Sequence, residues 1–314
     1  MRVIAPSRSL TMISQDTRRI ADERLDELGL TVSFGEHVLD TDDFTSSSIG
    51  SRVEDLHDAF ADDRVDAILT VIGGFNSHQL LPYLDFDLIG SRPKILCGYS
   101  DITALQNAIF ARTGLVTYSG LHYSTFGMRD HFDDNLRWFV ECLFSDDEMH
   151  VAPAATWSDD EWFLDQDDRD IRTNEGWWSL NDGAGAGTLI GGNASTVQLL
   201  NGTAWSPPLA GSVLFLEDDA EAQPHGFDRW LTAMLQQPGA AEIAGLVIGR
   251  FQLGSNMTRR HLGQIVGRHA VLDDVPVLAN VDFGHTNPML TFPIGGHVAV
   301  TVDGDRATLT IARH

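Results

Sequence analysis

Three residues of this chain stand where a side chain could carry out acyl transfer: Ser100, Glu217 and His285. Ser100 lies in Gly98-Tyr99-Ser100-Asp101, after the apolar run Ile95-Leu96-Cys97 and before an apolar-periodic segment that begins at Ile102. That pattern predicts a strand, a tight turn and a helix. The N–H groups of a first helical turn are free donors. A serine beside them could be a nucleophile whose oxyanion they stabilise, or only an N-cap. The local pattern leaves both open. A serine nucleophile needs a base, usually histidine, and the base needs an orienting carboxylate. Among 12 histidines, His285 stands out because it follows the predicted strand 276–280 in a turn with Gly284 and Pro288. Glu217 is the first polar residue after the apolar strand 212–216. Each has an ordinary alternative, a turn histidine and a solvated acidic turn through Asp218 and Asp219.

The elements that must position these residues alternate. Strands are predicted at 2–5, 30–34, 65–72, 95–97 and 116–118, and helices at 16–28, 51–60, 102–113 and 134–144. The run VDAILTVI at 65–72 is almost continuously apolar, as in a parallel sheet covered on both faces. Alternating strands and helices predict a doubly wound α/β unit, with sites beyond the C-terminal strand ends. The Gly73-Gly74 turn and the Ser100 turn both fall there. Residues 158–170 hold seven acids, one arginine, Trp162 and Phe163 without helical or strand periodicity. They read as a solvated connection or a mobile loop with ligand-facing aromatics. A second unit begins near Gly176. Its glycine-rich stretch 183–193 lacks the Lys-Ser/Thr of a P-loop and the strand-to-helix setting of a dinucleotide fingerprint, and predicts tight turns with close backbone packing. Asp303-Gly304 signals a terminal hairpin. The expected organisation is therefore an N-terminal unit at 1–150, an acidic aromatic connection at 151–176, and a C-terminal unit at 177–314.

Composition narrows the function. The 314 residues carry 45 acidic against 21 basic side chains, a net charge of −24, and Lys94 is the only lysine. Such a surface argues against nucleic acid or anionic membrane as partner, because phosphate contacts need clustered bases. It suits a salt-rich cytoplasm or simply a biased genome. No apolar run approaches the ~20 residues that span a bilayer, and the N-terminus lacks a secretory pattern. A soluble cytoplasmic protein is expected. Cys97 and Cys142 are too few for a disulfide framework and have no metal-ligand spacing. There is no His-Glu-x-x-His motif, so neither metal nor cofactor is expected.

Taken together, IAPS at 4–7, IGGFNS at 72–77, CGYSDIT at 97–103, LIGGN at 189–193, FLED at 215–218 and DFGH at 282–285 resemble the serine LD-carboxypeptidase family, in family order and across nearly the whole chain. The resemblance implies a flavodoxin-like N-terminal domain, a smaller C-terminal α/β domain, a homodimer, and a Ser-Glu-His triad of Ser100, Glu217 and His285 assembled across the two domains. It also implies an oxyanion hole at the backbone N–H groups of Gly74 and Asp101. Gly73, Asn76, Trp177, Trp178 and Asn193 are the candidate substrate contacts. Two branches of the family compete. One removes D-alanine from murein tetrapeptides. The other cleaves peptidyl or aminoacyl nucleotides and confers microcin C self-immunity. IGGFNS, in place of an Arg-Gly-Gly-Tyr-Gly type of turn, and the aromatic connection resemble the second, where a tryptophan such as Trp177 or Trp178 would stack on a nucleobase. Both substrates are anionic, so a local cation is needed, with Arg129, Arg172 or Arg250 as candidates. A ligand-binding protein with an idle triad is the reading of another class.

Overall fold

The computed structural model describes residues 1–313. Two sheets organise it. The first contains β1 (Arg2–Ile4), β2 (Ser33–Phe34), β3 (Ala67–Thr70), β4 (Ile95–Gly98) and β5 (Thr117–Ser119). These run parallel in the spatial order 2-1-3-4-5, the flavodoxin-like order. Helices α1 (Gln15–Glu27), α2 (Ile49–Ala61), α3 (Phe86–Ser91) and α4 (Thr103–Thr113) connect these strands, and α5 (Asp133–Leu143) follows them. The capping chemistry is local: Ser14 and Ser48 accept the N–H groups of Thr17 and Ser51 at the starts of α1 and α2. Gly114, at φ 73°, ends α4.

The later strands are β6 (Met149–Val151), β7 (Thr156–Trp157), β8 (Arg172–Thr173), β9 (Trp178–Asn181), β10 (Gly183–Asn193), β11 (Ser212–Glu217), β12 (Gly245–Gly249), β13 (Val277–Val281), β14 (Phe292–Ile294), β15 (His297–Asp303) and β16 (Arg306–Arg313). Eight of them form the second sheet, in the order β6-β16-β15-β10-β11-β12-β13-β9. Its centre, β10 to β13, is parallel, and α6 (Ala194–Val197), α7 (Pro224–Leu235) and α8 (Arg259–Val266) connect these strands. β14 returns to the first sheet and pairs antiparallel with β5. β7 and β8 form a two-stranded ribbon bracketing the acidic segment. This is a mixed α/β fold of two domains, as expected.

The glycine-rich stretch 183–193 is a correction. It forms β10, an eleven-residue strand, where tight turns were expected. A Cβ on Gly185 would lie 1.7 Å from the carbonyl oxygen of Ala244, and one on Gly187 2.1 Å from that of Gly211. The glycines let neighbouring backbone approach the strand. The prediction of close backbone packing was right and that of turns was wrong.

The two sheets are tied where the site needs them to be. Asn107 on α4 donates to the Gly191 carbonyl at 2.8 Å and accepts the Gly191 N–H at 3.1 Å. The Asn193 N–H reaches the Thr103 hydroxyl at 3.1 Å. A Cβ on Gly192 would lie 2.6 Å from that hydroxyl oxygen. The helix that follows Ser100 is thus fixed to the strand beside Glu217.

Candidate active site

Ser100 occupies the turn between β4 and α4, with φ 60°. A non-glycine residue there is in the sparsely populated left-handed region, which the surroundings must hold. Asp101 supplies much of that hold. Its side chain is buried, and one carboxylate oxygen accepts three hydrogen bonds, from the Ser7 hydroxyl (2.6 Å) and the backbone N–H groups of Asn76 (3.0 Å) and Ser77 (2.8 Å). The Ser77 hydroxyl donates to the Asp101 carbonyl at 2.6 Å. Arg52, also buried, donates to the carbonyls of Pro6 and Asn76 and to Gln79. The turn after β3 is therefore laced to the turn after β4. A Cβ on Gly73 would stand 3.2 Å from Ser100 Oγ, and one on Gly74 2.2 Å from Ser7 Oγ. A side chain at Gly74 has no room, and one at Gly73 would crowd Ser100.

Glu217 ends β11 and His285 follows β13. His285 Nε2 lies 3.0 Å from Ser100 Oγ, and His285 Nδ1 lies 2.8 Å from Glu217 Oε2. Glu217 is buried, and close packing fixes it. A Cβ on Gly284, at φ 107°, would lie 2.6 Å from Glu217 Oε2, and one on Gly249 2.7 Å from Glu217 Cβ. Burial pushes the His285 imidazole down, but the charge and hydrogen bond of Glu217, with Asp219 and Asp218 beyond, outweigh it and raise the pKa to about 9. Asp218 is itself raised to about 6 by burial and by the adjacent Glu217 charge. Tyr99 packs between two imidazoles, 5.4 Å from His285 and 4.3 Å from His122 between ring centroids. His122 bonds Thr70 at 2.7 Å, and burial, with the His285 charge, lowers its pKa to about 3, so it stays neutral beside Ser100 and His285.

The remaining expected residues divide. Asn76 and Asn193 are buried with their side chains already engaged. Asn76 bonds Ser7 and Ser46. Asn193 bonds Asp218, Ser195 and the N–H of Thr196 at the start of α6. Trp177 packs against the core, its buried Nε1 without a partner. Trp178 lines a cavity of about 590 Å³ with Trp157, Arg250 and Arg259, and Ser100, Glu217 and His285 are not part of that lining. The roles of the Asp101 carboxylate, Arg52, Ser7 and His122 escaped the sequence reading. IAPS and IGGFNS marked the segments, but nothing in the spacing revealed that Ser7 and Asn76 converge on Asp101. Among the described residues no cluster of His, Cys, Asp and Glu could hold a metal ion. Among the described residues no helix is long and apolar enough to cross a membrane.

Comparison with known proteins places this geometry. Residues 1–120 match the LD-carboxypeptidase N-terminal domain and residues 186–300 the LD-carboxypeptidase C-terminal domain. The chain is 44% identical to the carboxypeptidase-named protein YocD of Bacillus subtilis (strain 168), over 100% of this chain and 97% of that protein. The solved structure of an MccF-like protein from Bacillus anthracis superposes with a TM-score of 0.98 at 46% identity, covering 100% of this chain and 96% of that one. The microcin C7 self-immunity protein MccF, solved in complex with aspartyl sulfamoyl adenosine, superposes with a TM-score of 0.87 at 27% identity, covering 100% and 95%.

Proposed function

This chain belongs to the LD-carboxypeptidase family and is a hydrolase of the serine-peptidase type, and from that premise we propose that Ser100, His285 and Glu217 are its nucleophile, base and orienting acid. The observation that carries the proposal is the continuous relay from Glu217 through His285 to Ser100, at 2.8 and 3.0 Å. His285 takes the Ser100 proton as Oγ attacks an amide carbonyl. Glu217 holds the Nδ1–H and balances the imidazolium. The backbone N–H groups of Gly74 and Asp101 receive the oxyanion, and the Asp101 carboxylate holds the two turns at a fixed separation. His285 then protonates the leaving amine, and water releases the acyl group from Ser100. Because the imidazole titrates near 9, its basic form grows with pH, and turnover rises across the neutral range.

The substrate we propose is a peptidyl or aminoacyl nucleotide, cleaved at the amide joining the acidic amino acid to the nucleotide, as in microcin C self-immunity. The likeness to an MccF-like structure along the whole chain supports this branch, as does the MccF structure holding aspartyl sulfamoyl adenosine. We expect a cytoplasmic homodimer, which sedimentation at micromolar concentration tests. The substrate test is parallel incubation with aspartyl sulfamoyl adenosine and with an L,D-murein tetrapeptide, followed by product detection. Release of sulfamoyl adenosine is expected. Release of D-alanine alone would assign the chain to murein recycling instead.

A further inference from the structure

A protein of net charge −24 that takes an anionic substrate needs a cation at the site itself. The three arginines considered from the sequence are all engaged with carboxylates, Arg129 with Asp130 and Asp167, Arg172 with Asp170, and Arg250 with Asp282. A fourth, Arg8, stands against the Gly73-Gly74 turn. Its backbone N–H points to the Gly73 carbonyl at 3.4 Å, and a Cβ on Gly74 would lie 2.9 Å from its Cγ. Gly73 in turn borders Ser100 Oγ. Among the described residues, the Arg8 side chain forms neither an ion pair nor a hydrogen bond, and its Nε is buried without a partner. Its guanidinium carbon lies 5.9 Å from the centroid of the Phe75 ring, which is 46% exposed. Phe44, 68% exposed, packs against Phe75 edge to face.

We propose that Arg8 is a specificity-determining anchor that binds an anionic group of the substrate, a carboxylate or a phosphate, beside the scissile amide. This rests on Ser100 being the nucleophile. Its two Nη groups have no protein partner among the described residues and, unlike Nε, are not buried, so an anion can take them up without displacing an existing bond. A planar guanidinium presents a fork that matches two anionic oxygens, and Phe75 lies within cation–π reach of it. The anion could be the terminal carboxylate of a peptide or the phosphate of a nucleotide, and the experiment separates them.

Binding is measured by titration calorimetry in an S100A background, so that no turnover is required. Two ligand pairs are compared, an L,D-tetrapeptide as free acid and as C-terminal amide, and AMP and adenosine. We expect R8Q to weaken the charged member of one pair by about tenfold, consistent with loss of a charge-assisted hydrogen bond, and to leave its neutral member unchanged. The pair affected identifies the anion. R8K should fall between, keeping the charge and losing the fork. The neutral ligand doubles as the control for folding. Equal loss for charged and neutral members, or no loss in either pair, would overturn the assignment. Fluorophosphonate labelling of the otherwise unmodified protein at Ser100 tests the nucleophile separately, so the two ideas fail independently.

Discussion

The two halves of the candidate site are held by different physics. The Ser100 turn of the first sheet is held by hydrogen bonds: one buried carboxylate, on Asp101, gathers donors from residues 7, 76 and 77. The Glu217–His285 half, on the second sheet, is held by contact: Gly249 and Gly284 approach Glu217 so closely that a methyl group has no room. The difference is suited to the chemistry. In the proposed roles, the Ser100 turn must present backbone donors to a developing charge, and a network of polar groups aims donors. The carboxylate must keep an imidazole in one orientation, and a filled wall prevents rotation. The geometry of the first half should therefore be lost chiefly when a polar atom is removed, and that of the second, apart from the loss of the Glu217 charge itself, when an atom is added at Gly249 or Gly284.

The largest effect expected from testing that contrast is in Glu217→Gln. Loss of the orienting charge should lower kcat about 10⁴-fold, as for other triads. It should also remove the main cause that raises His285. The wild-type kcat/KM should climb with pH and level off above about 9, and the variant's residual activity should level off at lower pH. A pH–rate profile of both proteins checks this, and unchanged limbs would mean that His285 is not the titrating base.

Asp101→Asn comes next. The amide oxygen can still face the three donors but accepts them without the carboxylate charge, so the two turns should loosen and kcat should fall about 10-fold to 10²-fold, at or below the scale of losing an oxyanion donor. KM should change little. Gly284→Ala should cost about 10²-fold in kcat, the penalty for a misplacement of about 1 Å, together with about 1–3 kcal/mol of stability from a strained backbone, read by thermal melting. If Asp101→Asn chiefly lowers stability and Gly284→Ala is silent, the contrast between the halves fails. The smallest effect belongs to Ser7→Ala, which removes one of three donors and should cost about 1 kcal/mol in stability.

These contrasts also explain what the sequence could reveal. The doubly wound class was legible because apolar runs alternate with periodic helices, while the flavodoxin-like arrangement was implied only by the family resemblance. The positions of Ser100, Glu217 and His285 at strand ends were legible for the same reason, although only the family resemblance joined them. The hydrogen-bond half stayed hidden because Asp101, Asn76 and Ser7 meet only in three dimensions. The contact half was visible as glycines whose purpose could not be read. In β10 the same ambiguity misled: glycine allows a turn, and it also allows another backbone to lie against a strand. Asn76 and Asn193 show the converse. Conspicuous in their motifs, they spend their side chains on internal hydrogen bonds.

In the proposed mechanism one serine, activated across two sheets, attacks the substrate. Incubation with a fluorophosphonate, proteolysis and mass spectrometry test it most directly. A single adduct is expected on the peptide containing Ser100, absent in Ser100→Ala and formed far more slowly in Glu217→Gln. An unmodified Ser100 in folded protein, or labelling at the same rate without Glu217, would contradict it.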